Sequence, residues 1–220
     1  MEFNLVQVIA IYAIPVIFAI TLHEAAHGYV ARYFGDLTAW RLGRISVNPI
    51  RHIDLVGTIA VPLAILVASK LLGGGALLFG WAKPVPVNYH ALRHPKRDML
   101  WVAAAGPAAN LLMALAWAGL LKLSYVIAAN YFTVPLSLIA EAGIAVNVVL
   151  MALNLLPILP LDGGRIAMSL LPEKLATMYA RSEPFGFPIL LVLIFTNFLG
   201  AILSPLVHAS IGLIETLFWL

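Results

Sequence analysis

Apolar residues in this chain come in runs close to the 20 or so positions a bilayer-spanning helix needs, divided by short polar stretches. The runs cover residues 5–31, 55–72, 99–123 and 134–156, followed by two shorter ones at 186–203 and 205–220. The pattern predicts an all-α polytopic membrane protein with five to six transmembrane or re-entrant segments. Run 55–72 contains Gly57 and Pro62 and is broken by Gly73-Gly74-Gly75. Residues 79–88 hold Pro84 and Pro86 between alternating valines, which forbids a helix and predicts a short extended, re-entrant strand region. Residues 157–184 read as an amphipathic connector, and a tight turn near Ser204-Pro205 is expected to join the last two spans. No internal repeat or low-complexity segment interrupts this plan. Residues 1–220 therefore read as a single membrane-embedded domain, with a core at about 5–170 and two C-terminal spans at about 186–220.

Composition agrees with that plan. Of 220 residues, 62% are hydrophobic and 10% charged, too little polar surface for a soluble domain of this size. There is no cysteine, so a metal site must use His, Asp, Glu or Asn. No basic residue precedes the first run, which reads as a retained helix and not a cleaved signal. Eleven of the thirteen Lys and Arg residues lie in segments 32–54, 73–98 and 157–187, leaving Lys70 and Lys122. The positive-inside rule prefers all three segments in the cytoplasm. Residues 55–98 must then enter and leave by the same face. The N-terminus is expected outside, the C-terminus inside, and the chain in a cell membrane of prokaryotic type. No nucleic-acid partner is expected, and the oligomeric state is left open.

The candidate chemistry begins at His23-Glu24-Ala25-Ala26-His27, near the end of the first run. Imidazoles four residues apart on a helix point the same way and can share one Zn²⁺. Glu24 cannot face the metal as they do, but can act as general base on a water beside it. Three ionisable groups within five positions of an apolar helix are costly and functional by default. A catalytic zinc site needs a third protein ligand. The best candidate is Asp162, in Asn154-Leu-Leu-Pro157-Ile-Leu-Pro160-Leu-Asp162-Gly163-Gly164-Arg165, where the prolines unwind the helix and the glycines permit close approach. Taken alone, Asp162 reads equally as a helix cap or a partner of Arg165; beside the histidine motif the ligand reading prevails.

Asn154 could hydrogen-bond a substrate carbonyl or an oxyanion, and Asn110, in Gly106-Pro107-Ala108-Ala109-Asn110, could support the site; either could instead make an interhelical hydrogen bond. His52, Asp54, His90 and His94 read as interfacial residues, His208 as a packing residue, and Trp81 and Trp101 as belt residues.

Taken together, H-E-A-A-H-G, G-P-A-A-N and N-L-L-P-I-L-P-L-D-G-G resemble, in order and placement, the motifs of the site-2 protease family of intramembrane zinc metalloproteases (peptidase family M50). Residues 80–87 are similar to that family's re-entrant strand region, and the resemblance covers roughly residues 5–170. It implies a hydrolase with one Zn²⁺ per chain, held by His23, His27 and Asp162. It further implies Glu24 as catalytic acid/base, Asn154 as a catalytic residue near the substrate, and a transmembrane protein as substrate. The active site would lie toward the cytoplasmic face. The absence of a PDZ or CBS domain and the extra run 55–72 suggest a compact subgroup. Two rival readings stand beside this one. A metal transporter would usually show inverted repeats, which are not seen. A non-catalytic module binding transmembrane helices would not need Glu24 or a full ligand set.

Overall fold

The computed structural model describes residues 4–60, 83–127 and 130–220. Among the described residues all regular structure is helical. The α-helices in order are α1 (Leu5–Tyr33), α2 (Thr38–Arg41), α3 (Pro95–Val126), α4 (Thr133–Asn154), α5 (Asp162–Leu170), α6 (Glu173–Ala180), α7 (Glu183–Phe195) and α8 (Phe198–Phe218). Helices α1, α3, α4 and α8 are each long and apolar enough to cross a bilayer. The pair α6 and α7, bent by 61°, would add a fifth span if the two act as one.

Helix α1 starts with a reciprocal cap. The Asn4 side chain accepts from the Gln7 amide at 3.0 Å, and the Gln7 side chain accepts from the Asn4 amide at 2.9 Å. The helix closes at Gly35, whose φ of +105° suits a residue without Cβ. The next residue, Asp36, is buried and accepts from the amides of Thr38 (2.8 Å) and Asn88 (2.6 Å). This carboxylate ties the end of α1 to the segment that leads into α3.

The core is a three-helix cluster of α1, α3 and α4. Its contact faces carry small residues, including Ala19, Ala25 and Ala31 of α1, Ala103, Ala114 and Ala118 of α3, and Ala140 and Ala152 of α4. In lipid, where the hydrophobic effect does not drive helices together, small side chains let backbones approach and pack. Gly143 is an instance: a Cβ there would overlap the Trp117 ring. Val8 and Tyr12 face Leu138 and Ala142, so α1 and α4 run parallel. Ala31 packs with Met99 and Val102, so α3 runs against them. The ends of α1 and α4 and the start of α3 therefore meet at one end of the bundle.

Three expectations for the connections change. The break near the C-terminus falls at Thr196-Asn197, where Asn197 is left-handed, and Pro205 lies inside α8. Proline is tolerated there because its freed backbone carbonyl can be satisfied locally. Residues 83–88 form no strand: the amides of Lys83, Val85 and Asn88 go to the His52 carbonyl, Glu24 and Asp36, and Pro84 and Pro86 have none to give. Residues 79–82 of that expected strand lie outside the described residues.

Finally, α8 runs toward the end of the bundle that holds the start of α1. Phe218 lies over Gly119, and Lys122 Nζ donates to the Trp219 carbonyl at 2.8 Å. Both chain ends thus share one end of the bundle, where opposite faces were expected. Leu55–Ala60 is a π-helical turn, and residues 61–72 of the expected re-entrant run lie outside the described residues. The contact between His52 and Lys83 (2.9 Å) does bring the two borders of this excursion to the same place.

Candidate metal centre

Helix α1 delivers His23 and His27 one turn apart on the face turned toward α3 and α5. Their Nε2 atoms lie 3.1 Å from each other. Asp162 comes from a different element. Helix α4 ends at Asn154, residues 155–161 make a tight turn, and α5 begins at Asp162. The glycines that follow let α5 press against that turn: a Cβ at Gly163 would strike the Leu155 carbonyl, and one at Gly164 would strike the Ile158 backbone. The result sets Asp162 Oδ2 at 3.2 Å from His23 Nε2 and Oδ1 at 3.4 Å from His27 Nε2. The ligand atoms of all three residues fall within 4.8 Å of one another, and all three residues are buried. Asp162 thus faces these imidazoles, and among the described residues no ion pair joins it to Arg165.

Hydrogen bonds decide which way the imidazoles present themselves. His27 Nδ1 faces the Val102 carbonyl at 2.7 Å, an atom that can only accept. His23 Nδ1 faces Asn110 Oδ1 at 2.6 Å. Both rings must therefore carry their proton on Nδ1 and turn an Nε2 lone pair inward, the arrangement common among metal-binding histidines. Two lone pairs and a carboxylate then converge in a buried site, and among the described residues Asp162 Oδ2 has no hydrogen-bond partner. Converging electron pairs of this kind repel unless a cation lies among them. The N₂O donor set matches that of catalytic zinc sites with two His and one carboxylate. The residues fit a divalent metal ion.

Gly106 of α3 forms the floor of the site. A Cβ there would overlap His27 Nε2 and lie 2.6 Å from His23 Nε2. Glu24, between the two histidines, turns aside and accepts from the Val85 amide at 2.7 Å through Oε2. Asn154 donates Nδ2 to the Leu150 carbonyl of its own helix at 3.0 Å, and among the described residues no hydrogen bond joins it to the triad. His52 is buried and bonded through its ring to the Ser46 carbonyl at 2.7 Å, a structural role. His94 precedes α3, and His208 bonds back to Ser204; neither approaches the triad.

Sequence reasoning missed three participants. The Val102 carbonyl has no side-chain signal at all. The role of Gly106 needs a partner helix to become visible. Asn147, fully buried on α4, bonds Asn110 at 3.0 Å, and its signal was available as a polar residue inside an apolar run.

Two named proteins align with nearly the whole chain. YwhC of Bacillus subtilis (strain 168), provisionally named a zinc metalloprotease, is 38% identical over 208 residues, spanning 93% of this chain and 89% of YwhC. Rip2 of Mycolicibacterium smegmatis (strain ATCC 700084 / mc(2)155), named in the same way, is 30% identical over 196 residues, spanning 86% of this chain and 68% of Rip2. No family model and no solved structure matches the chain.

Proposed function

Since this chain belongs to the same zinc metalloprotease family as YwhC and Rip2, in keeping with the site-2 protease resemblance of its motifs, we propose that it is an intramembrane metallopeptidase. Its substrates are transmembrane segments of other membrane proteins, hydrolysed within or at the edge of the bilayer. The observation that carries this reading is the convergence of His23, His27 and Asp162 on helices whose neighbours are bilayer-spanning.

His23, His27 and Asp162 hold one Zn²⁺ per chain in this reading. The ion supplies Lewis-acid activation of water and of the scissile carbonyl. Glu24 accepts the proton of the attacking water and returns it to the departing amide nitrogen. Its bond to the Val85 amide fixes the orientation of the carboxylate beside the two histidines. Asn154 retains a free carboxamide oxygen after its own-helix bond, and the amide can turn to donate to a substrate carbonyl.

The substrate helix must unwind locally, because helical hydrogen bonds hide the scissile carbonyl. Residues 83–88 lie beside Glu24, and the Val85 amide, once released by Glu24, is a donor with which an extended substrate segment can pair. The basic segments 32–54 and 157–187 border the end of the bundle that holds the triad, which supports an active site on the cytoplasmic side of a cell membrane.

The test uses purified wild-type protein and the Glu24→Gln and Asp162→Ala variants in proteoliposomes carrying a native membrane-protein extract. Mass spectrometry of new peptide termini is expected to find cuts in or beside transmembrane segments with wild type alone. General acid–base groups contribute about 10²–10⁴-fold, so Glu24→Gln should slow cleavage by at least that factor while keeping its zinc. Asp162→Ala should lose zinc as well. Cleavage at the wild-type rate by Glu24→Gln would remove Glu24 from the mechanism.

A further inference from the structure

We infer that Asn147 is a positioning residue for the metal centre: acting through Asn110, it fixes the tautomer in which His23 turns its Nε2 lone pair toward the metal. The inference rests on the zinc-peptidase reading above and adds to it the means by which one ligand is kept competent.

The relay starts from an atom with no choice. The Gly143 carbonyl can only accept, and Asn147 Nδ2 donates to it at 2.8 Å. That orients Asn147 Oδ1 outward, where it accepts from Asn110 Nδ2 at 3.0 Å. Asn110 Nδ2 also donates to the Ala19 carbonyl at 3.3 Å. The only atom left to Asn110 for the histidine is Oδ1, and it faces His23 Nδ1 at 2.6 Å. A proton must therefore sit on Nδ1. The relay crosses from α4 through α3 to α1, and both asparagines are fully buried, so water is not there to replace a missing partner.

The need for two amides follows from comparison with His27. Its Nδ1 meets a backbone carbonyl, which has one polarity. An asparagine side chain has two. Turned over, Asn110 would offer NH₂ to His23 Nδ1, move the ring proton to Nε2 and remove the lone pair a metal needs. That turn would also set its oxygen against both the Ala19 carbonyl and Asn147 Oδ1. Without Asn147, the guard that remains among the described residues is the 3.3 Å contact to Ala19. Asn147 touches neither metal nor substrate; it acts through Asn110.

The experiment compares wild type, Asn147→Leu and Asn147→Asp in detergent. Zinc is stripped, and affinity is read by competition with a chromophoric chelator at fixed pH. A neutral Asp side chain can donate its hydroxyl to the Gly143 carbonyl and accept from Asn110, whereas Leu can do neither. Partners at this remove from a metal typically change affinity by about 10–100-fold. We expect a loss of that order in Asn147→Leu and affinity close to wild type in Asn147→Asp.

A second readout is the ¹⁵N spectrum of histidine-labelled, zinc-free protein, with His23 assigned through His23→Gln. Wild type and Asn147→Asp should show the Nδ1–H form, and Asn147→Leu a mixture. If Asn147→Leu does not fold, the smaller Asn147→Val takes its place. Unchanged affinity and a single tautomer in the apolar variant overturn the inference. So does an equal loss in Asn147→Asp, which would mark a packing role. A wild-type protein that binds no zinc overturns the zinc-peptidase reading and this inference with it.

Discussion

The metal centre depends on the electronic state of each side chain more than on its position. His23 and His27 could take either tautomer on an isolated helix. The Val102 carbonyl and Asn110 select the one that directs both Nε2 atoms inward. Gly106 is equally decisive by having no side chain. Gly106→Ala places a methyl group among the two imidazoles, and neither ring can retreat without losing its Nδ1 bond. The expected outcome is a protein that folds but binds zinc at least about tenfold more weakly, a loss typical of disturbed ligand support. Chelator competition in detergent measures it. Wild-type zinc affinity in Gly106→Ala would show that the rings have room to move and that the floor does not constrain them.

Among the elements, the stretch between α1 and α3 has the most unusual support. Two carboxylates of the α1 region reach over to it: Glu24 holds the Val85 amide and Asp36 the Asn88 amide. Asp36 is buried and serves two donors, so Asp36→Ala leaves two amides without a partner. Unsatisfied buried groups cost about 1–3 kcal/mol each, so a loss of about 2–6 kcal/mol in stability is expected, read from thermal or denaturant unfolding in detergent. The variant should also become sensitive to proteolysis near residues 83–88. An unchanged unfolding midpoint would mean that water or another donor replaces the carboxylate. The histidine pair and the helices that frame it were readable from spacing and run length. The anchoring role of Asp36 was not, since a single Asp in a polar connector looks like a solvated surface group until its two amides are found.

For the molecule as a whole, the testable feature is sidedness. The start of α1 and the end of α8 lie at one end of the bundle, and the triad with the basic segments lies at the other. The chain has no cysteine of its own, so single cysteines report without background. Asn4→Cys and Trp219→Cys should react with an impermeant maleimide from the same side of sealed vesicles, and Ser46→Cys and Lys174→Cys from the opposite side. By the positive-inside rule the second pair is expected to be the cytoplasmic one. Reaction of Asn4→Cys and Trp219→Cys from opposite sides would restore the odd number of crossings that the apolar runs by themselves suggested.

The chain's own sequence determined the class of protein, the three long helices of the core, and the three residues that converge. Run length against bilayer thickness, the four-residue histidine spacing and the proline-glycine turn before Asp162 are local properties, and local properties can be read along a chain. Only the tertiary structure decided the rest. Whether an imidazole shows a metal its lone pair depends on which acceptor another helix brings to the far side of the ring. Whether Gly106 matters depends on what stands opposite it. The direction of α8 depends on its packing across α3 and α4, because an apolar run has the same composition read either way through the bilayer. In each case the deciding partner lies tens of residues away, and only folding brings the two together.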